Sequence, residues 1–263
     1  MFLPPLDIYI AKVRHTISYF LHSTNTVVYF LANYLIFRPT HSTYKKIPNL
    51  LTLTTANGKK ISAVYLLNPT AKYVILYSHG NNEDLGDVIH SLRALYNMGF
   101  SVIGYDYEGY GTSEGQPSER AAYRDIEATY NYLVKDKKIP AQKIILMGRS
   151  VGSGPSTEFA TKQPVAGVIL ISPFVSTYRV ITHYPILLFD KFNNLAKINK
   201  IKAPILFIHG KEDTIVPFWH GEKLSSAFLG EKTNCWVENF GHNDLYIGQS
   251  EVKNCILKFV HQL

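Results

Sequence analysis

The sequence is poor in cysteine: its 263 residues include only two, Cys235 and Cys255. Two cysteines cannot form a framework of several disulfides, and they lack the clustered spacing of a zinc site. This predicts a protein of a reducing compartment, with both cysteines filling core positions on a late strand and the last helix.

The sequence also lacks low-complexity tracts, internal repeats and linkers, which predicts one large globular domain, or one domain with an appendage, rather than an array. Its net charge of +7 raises nucleic acid or an anionic membrane as partners. The lysines, however, lie in scattered pairs such as Lys45-Lys46, and no nucleic-acid-binding motif occurs. We therefore expect no nucleic-acid partner. Residues 174–203 are the exception, because they combine five basic residues and one acid with large apolar side chains.

Charge is missing from residues 15–37, which contain no Asp, Glu, Lys or Arg. The segment is long enough to span a bilayer, which takes about 20 apolar residues, but polar side chains such as His22 and Asn33 dilute it. It also lacks the charged start and cleavage site of a secretory signal. A weak membrane anchor, an interfacial helix and a helix packed on the domain all remain open. We assign residues 1–40 to this N-terminal apolar helical segment and residues 41–263 to the main domain.

What is present after residue 48 is a regular alternation of strand and helix patterns. Asn57-Gly58 predicts a tight hairpin at the start. The apolar runs and amphipathic stretches that follow predict an α/β fold, with a mostly parallel central sheet of about eight strands flanked by helices. Residues 174–203 are predicted to form a short helical cap inserted between two strands. In such sheets, functional residues collect where the strands end.

The central motif is Gly148-Arg149-Ser150-Val151-Gly152, which lies between an apolar run and a stretch of small residues. G-x-S-x-G between a strand and a helix is the layout of a nucleophile elbow. Its glycines let the two elements pass closely while the serine adopts a strained backbone conformation. We expect Ser150 to be a nucleophile and the Val151 N–H to donate to an oxyanion.

Three other predicted strand ends carry polar residues that complete such a site. Asn81 lies in a glycine turn and is the expected second oxyanion donor, while the neighbouring His79 is either a base or, as we favour, a residue that holds the turn. Glu212 and Asp213 are adjacent candidates for the acid, and spacing alone does not choose between them. His242 follows the last strand. The order serine, acid, histidine is that of α/β-hydrolases.

On these residues, the sequence resembles the α/β-hydrolase superfamily from residue 48 to residue 263. It is most similar to the α/β-hydrolase domain 17 group of depalmitoylases and related membrane-associated serine hydrolases. The motifs that carry the similarity are Ser78–Gly86, Asp106–Gly115, Gly148–Pro155 and Gly241–Asp244. The resemblance implies that Asp213, not Glu212, is the acid, and that Asp106 and Ser113 hold a loop. The chain departs from that group in having no cysteine cluster near its N-terminus.

The mechanism implied is acyl transfer to water by Ser150, His242 and Asp213, with no metal or organic cofactor. The substrate would be an apolar acyl compound, one form of which is a lipidated protein. Apolar cap residues either contact that substrate or pack as a small core. The four named as substrate contacts are Phe174, Tyr178, Leu187 and Leu188.

Three functions follow from these residues. The first is hydrolysis of fatty-acyl thioesters or esters, including protein depalmitoylation. The second is a carboxylesterase or lysophospholipase activity on small lipids, and the third is a non-catalytic, membrane-tethered binding module. We expect the protein on a membrane surface through residues 15–37 and otherwise in the cytoplasm. The sequence is silent on its oligomeric state.

Overall fold

The computed structural model describes residues 36–39, 41–182 and 190–263. The chain divides into Met1–Arg38 and Pro39–Leu263, and the fold described below belongs to the second unit. Most of the predicted apolar segment and cap residues 183–189, including Leu187 and Leu188, lie outside the described residues. The predictions for them stay predictions. Within the described ranges, no helix combines the length and apolar character needed to cross a bilayer.

Eight strands form one sheet, in the order β1-β2-β4-β3-β5-β6-β7-β8. The first three strands of that order pair antiparallel and the rest pair parallel. The strands are β1 Leu50–Thr54, β2 Lys60–Leu66, β3 Val74–Ser78, β4 Ser101–Tyr105, β5 Ile144–Arg149, β6 Gly167–Ile171, β7 Ile205–Gly210 and β8 Lys232–Val237. The central strands β3 to β7 are buried along their whole length or nearly so, because helices cover both faces of the sheet.

Helices connect the strands and cover the sheet. They are α1 Leu85–Asn97, α2 Glu119–Asn131, α3 Ser153–Ala160, α4 Thr177–Thr182, α5 Trp219–Ala227 and α6 Ser250–Gln262. A π-helical turn, Tyr132–Asp136, extends α2, and short 3-10 turns occupy Ala141–Lys143, Ser150–Gly152 and Ile198–Lys200. Side chains of α1 and α6 share one apolar cluster with alternate residues of the strands. On the other helices, the rings of Tyr130 (α2) and Phe159 (α3) pack with their centroids 4.8 Å apart and their planes tilted by 58°.

The start of α1 shows how local sequence places an element. Asp84 is its N-cap and accepts hydrogen bonds from the N–H groups of Gly86 and Asp87. The Asp87 carboxylate in turn accepts the Asp84 N–H, which completes a capping box. Glu83 and Asp84 therefore precede the helix, which begins at Leu85.

The predicted hairpin and the predicted fold class are confirmed. Asn57-Gly58 connects β1 to β2, and Gly58 has a φ of +78°, a left-handed conformation that glycine adopts without steric cost. Leu53 pairs with Ile61 across the hairpin. The eight-stranded, mostly parallel sheet flanked by helices is that of an α/β-hydrolase fold.

The structure pairs the two cysteines, which the sequence analysis did not predict. Cys235 on β8 and Cys255 on α6 form a disulfide, with their Cα atoms 6.2 Å apart. Cys235 lies in the apolar cluster and the partly buried Cys255 packs against it. Spacing along the chain could not show that a strand and a helix present the two cysteines to each other. The expectation of a reducing compartment rested on the lack of a disulfide framework, and this disulfide counts against it.

Candidate active site

The elbow after β5 has the geometry that its glycines allow. Ser150 has a φ of +51°, a left-handed conformation that is strained for a residue with a side chain. A Cβ on Gly148 would lie 2.3 Å from the Gly152 carbonyl oxygen, and a Cβ on Gly152 would lie 2.1 Å from the Ser78 carbonyl oxygen. Both contacts are impossible for a side chain. The two glycines therefore allow α3 to start against β3 and leave the serine at the top of the sheet.

Loops after β5, β7 and β8 bring a serine, a carboxylate and an imidazole together. Ser150 Oγ lies 3.0 Å from Nε2 of His242, and Nδ1 of the same ring lies 2.7 Å from Asp213 Oδ2. Glu212 is exposed, and its backbone N–H binds the Phe240 carbonyl instead. Of the two adjacent acids, Asp213 is the one that contacts the imidazole.

Asp213 is buried but well supplied with donors. Its Oδ1 accepts the N–H groups of Ile215 and Val216 at 3.0 and 2.8 Å. Its Oδ2 also lies 3.3 Å from Nε2 of His209. Burial alone would raise the pKa of Asp213, but hydrogen bonds from His209 and His242 outweigh it and hold that pKa well below its usual range. An ionised Asp213 requires a proton on Nδ1 of His242, which leaves the Nε2 lone pair facing the serine hydroxyl.

The turn after β3 lies beside the elbow because β3 and β5 are paired. Ser78 is in register with Gly148, and Asn81 and Val151 each come three residues later in the chain, just beyond the ends of the paired strands. Two tyrosines brace this turn: Tyr107 donates its hydroxyl to the His79 carbonyl at 2.7 Å, and Tyr110 donates to Asn81 Oδ1 at 2.7 Å. The backbone that carries the two expected oxyanion donors is thus held next to the serine.

His79 has the contacts of a residue that holds a turn. It is fully buried, with Nδ1 2.8 Å from the Gly80 carbonyl oxygen and Nε2 3.5 Å from Asp106 Oδ1. Burial lowers its pKa, but the neighbouring Asp106 carboxylate outweighs that effect, so the pKa of His79 is raised. Asp106 also accepts the Leu85 N–H at 2.8 Å, and its carbonyl accepts the Ser113 hydroxyl at 3.1 Å. These are contacts within loops, as the resemblance implied for Asp106 and Ser113.

The described part of the cap packs on the elbow helix. Phe174 and Tyr178 are both buried, and the Phe174 ring lies 6.4 Å from that of Phe192. A Cβ on Gly154 would lie 2.3 Å from the Phe192 ring, so that glycine makes room for the cap. For Phe174 these contacts correspond to the packing alternative. The role of Phe174 and Tyr178 as substrate contacts stays a prediction.

Two further features escaped the sequence analysis. His209, in the apolar run of β7, reaches Asp213, and the only signal was a histidine in an otherwise apolar strand. Arg149, the variable residue of the elbow motif, forms an ion pair of 2.6 Å with Glu83 and donates to the His242 carbonyl oxygen at 3.1 Å. The signal here was a charged side chain beside the serine. Among the described residues, no group of three or more His, Cys, Asp or Glu side chains could hold a metal ion.

Comparison with known proteins decides the family. Residues 69–197 match the family model described as serine aminopeptidase, S33. Human alpha/beta hydrolase domain-containing protein 17B is 39% identical over 197 residues, which are 73% of this chain and 68% of that protein. The chain belongs to the α/β-hydrolase domain 17 family.

Other similarities agree with that family. Alpha/beta hydrolase domain-containing protein 17C of Xenopus tropicalis is 36% identical over 73% of this chain and 63% of its own length. The solved structure of an esterase from Pyrococcus furiosus shares the fold, with a TM-score of 0.73 at 18% identity over 86% of this chain and 98% of that one. The α/β-hydrolase described here is an enzyme of the hydrolase class.

Proposed function

We propose that this α/β-hydrolase is a serine hydrolase that cleaves fatty-acyl esters or thioesters through an acyl-enzyme intermediate. One observation carries the proposal: Ser150 Oγ lies 3.0 Å from His242 Nε2, and His242 Nδ1 lies 2.7 Å from Asp213 Oδ2. A serine hydroxyl is a weak nucleophile until a base takes its proton, and the second contact holds that base in the tautomer that can do so.

In the proposed first step, Ser150 Oγ attacks the acyl carbonyl carbon while His242 Nε2 takes the hydroxyl proton. The N–H groups of Asn81 and Val151 donate to the oxyanion of the tetrahedral intermediate. The intermediate then expels the alcohol or thiol, which receives the proton from His242. In the second step, water attacks the acyl-enzyme with the same proton transfers and releases the carboxylic acid and the free serine.

The proposed substrate is apolar on its acyl side. The residues that support this are the large apolar side chains of 174–203, which follow β6 in the chain. Among those that the structure describes, Phe192 packs against Gly154 of the helix that follows the elbow. Membership of the α/β-hydrolase domain 17 family extends the proposal to thioesters of lipidated proteins. Esters of small lipids are the alternative substrate, and a binding module without catalysis is the alternative of another class.

We also propose that residues 15–37 bring the enzyme to a membrane surface, where such substrates reside. The basic residues of 174–203 would add attraction to acidic headgroups, about 1 kcal/mol for each charge near the surface. An enzyme held at the bilayer would meet acyl chains without extracting them through water.

Labelling with a fluorophosphonate probe tests the enzyme proposal. We expect the probe to modify the wild-type protein and not Ser150→Ala, because the probe reacts only with an activated serine. Failure of the wild type to react would leave the non-catalytic alternative. The substrate class is then tested with a palmitoyl thioester and the matched oxygen ester over a series of acyl chain lengths. Faster turnover of short acyl chains than of long ones would contradict the fatty-acyl proposal.

A further inference from the structure

A chain of charged contacts joins three loops of the active site. Arg149 Nη1 contacts Glu83 Oε1 at 2.6 Å, and Arg149 Nη2 donates to the His242 carbonyl oxygen at 3.1 Å. The other oxygen of Glu83, Oε2, accepts the Gly80 N–H at 2.7 Å. We call this set of three contacts the Glu83–Arg149 bridge. It links the turn after β3, the elbow after β5 and the histidine loop after β8.

The bridge lies where small displacements matter. Arg149 immediately precedes the serine, Gly80 immediately precedes Asn81, and the third contact is to the backbone of His242 itself. The side chains of Arg149 and Glu83 are 13% and 25% exposed, so their interaction is only partly screened by water. A Cβ on Gly80 would lie 2.6 Å from Glu83 Oε2, so the carboxylate fills the space that this glycine leaves.

The planar guanidinium suits this position. Its separate nitrogens bind the Glu83 carboxylate and the His242 carbonyl at the same time, in directions fixed by the plane of the group. A lysine ammonium would keep the charge, but its one nitrogen cannot hold both partners in directions fixed by a plane. The histidine loop is otherwise tied to the elbow through the hydrogen bond between His242 Nε2 and Ser150 Oγ. That bond must break and re-form during each proton transfer, whereas the bridge can persist throughout the reaction.

We propose that the Glu83–Arg149 bridge positions His242 and the oxyanion turn relative to Ser150, which makes Glu83 and Arg149 positioning residues for hydrolysis. The inference rests on the serine-hydrolase function proposed above. Neither side chain forms a bond to substrate in this role. Loss of the bridge therefore slows the chemical steps, which lowers kcat, and leaves substrate affinity nearly unchanged.

The test uses the full-length chain with Arg149→Met, Arg149→Lys, Glu83→Gln and the double variant Glu83→Gln/Arg149→Met. For each protein, kcat and KM are measured on a short p-nitrophenyl ester, together with the rate of fluorophosphonate labelling and the Tm. For Arg149→Met we expect kcat and labelling rate to fall about 10- to 100-fold, since misplacement by about 1 Å costs that much, with KM within about twofold. Arg149→Lys should recover part of the loss. The double variant should be no slower than the slower single variant, because the bridge acts as one unit.

Arg124→Met is the matched control. Like Arg149, Arg124 forms an ion pair with a carboxylate: its Nη2 lies 2.9 Å from Oε1 of the buried Glu108. Within the described chain, its contacts do not involve Ser150, His242 or Asp213. We expect a fall in Tm comparable to that of Arg149→Met with kcat unchanged. Equal loss of kcat in the two variants would mean that activity only follows stability, and would overturn the proposal. Multiplying effects in the double variant would overturn it as well.

The experiments distinguish a failure of the serine-hydrolase function from a failure of the positioning role. If the wild type does not react with the probe, the serine-hydrolase function is wrong and the positioning role falls with it. If the wild type reacts and Arg149→Met reacts at the same rate, the function stands and the bridge has no part in catalysis. A rise in KM without a change in kcat would also reject positioning, because it would place Arg149 in substrate binding.

Discussion

Ser150 combines backbone strain with a partly exposed position in the elbow turn. Its φ of +51° costs a residue with a Cβ about 1 kcal/mol relative to glycine. The surrounding structure retains this strain because Gly148 and Gly152 fit the elbow between β3 and α3. Strain at one residue of an otherwise relaxed strand-to-helix connection is typical of a functional position.

Two substitutions separate the chemical role of Ser150 from its structural cost. We expect Ser150→Ala to abolish hydrolysis and leave Tm nearly unchanged, because it removes only the hydroxyl. Ser150→Gly should be equally inactive but about 0.5–1 kcal/mol more stable than Ser150→Ala, since glycine accepts the positive φ and offsets this only partly by its greater freedom when unfolded. Urea unfolding of both variants measures the difference. A large fall in Tm for Ser150→Ala would mean that the serine is structural.

Asp213 gives the site a defined dependence on pH. Its pKa is lower in the folded protein than in the unfolded chain, so the folded state favours the ionised form. Its contribution to stability is therefore fully present above the unfolded value of about 4 and is lost as the pH falls below that toward the lowered folded value. We expect wild type to exceed Asp213→Asn in free energy of unfolding at pH 7, and the gap to shrink at pH 3. An equal gap at both pH values would contradict this.

Asp213→Asn also tests the orientation of the imidazole. The amide can donate to Nδ1 and so favours the wrong tautomer, which by analogy with other triads costs about 10⁴-fold in kcat. The measurement is steady-state turnover on a short ester, with Glu212→Gln as the control. Glu212 is exposed and we expect its substitution to leave kcat unchanged.

At the scale of elements, the sheet assembles the site. Parallel pairing of β3, β5, β6, β7 and β8 brings their carboxyl ends to one edge, so loops far apart in the chain meet there. The histidine loop connects β8 to α6, and the disulfide joins these two elements. It therefore adds a covalent constraint on both sides of that loop. The segment between Cys235 and Cys255 contains His242.

Reduction of this disulfide should destabilise the protein measurably. Its ends are separated by 20 residues, and closing a loop of that length removes unfolded-state entropy worth about 3 kcal/mol. We expect dithiothreitol to lower the free energy of unfolding by about that amount. The control is Cys235→Ser/Cys255→Ser, whose stability should not respond to the reductant. Identical unfolding curves for the wild type with and without reductant would show that the bond adds no stability.

At the scale of the whole molecule, the proposed membrane association depends mainly on the apolar segment 15–37, and the basic residues of 174–203 would add only a weaker attraction. We expect the full-length protein to sediment with vesicles that contain acidic lipid, and a truncated protein beginning at Thr40 to remain in the supernatant. Hydrolysis of a soluble short ester by the truncated protein would show that it is folded. Equal sedimentation of both proteins would place the membrane contact on the domain instead.

The sequence by itself determined the features that depend on neighbouring residues or on a regular period. These features are the elbow glycines, the Asn57-Gly58 hairpin and the α/β alternation, because short-range sterics and burial dictate them. The order of a serine, an acid and a histidine at successive strand ends could also be read from the sequence. Spacing left Glu212 and Asp213 equivalent, and only the resemblance to a family separated them before the structure showed which one faces the imidazole.

The tertiary structure alone decided the contacts between segments distant in the chain. These are the pairing of Cys235 with Cys255, the approach of His209 to Asp213 and the bridge from Glu83 through Arg149 to the His242 carbonyl. No periodicity or turn signal encodes such contacts, since they arise only when the sheet sets its strands in order and register. The sequence motif was enough to identify Ser150. The contacts of Arg149 with Glu83 and with the His242 carbonyl oxygen became visible only in the structure, where three loops meet.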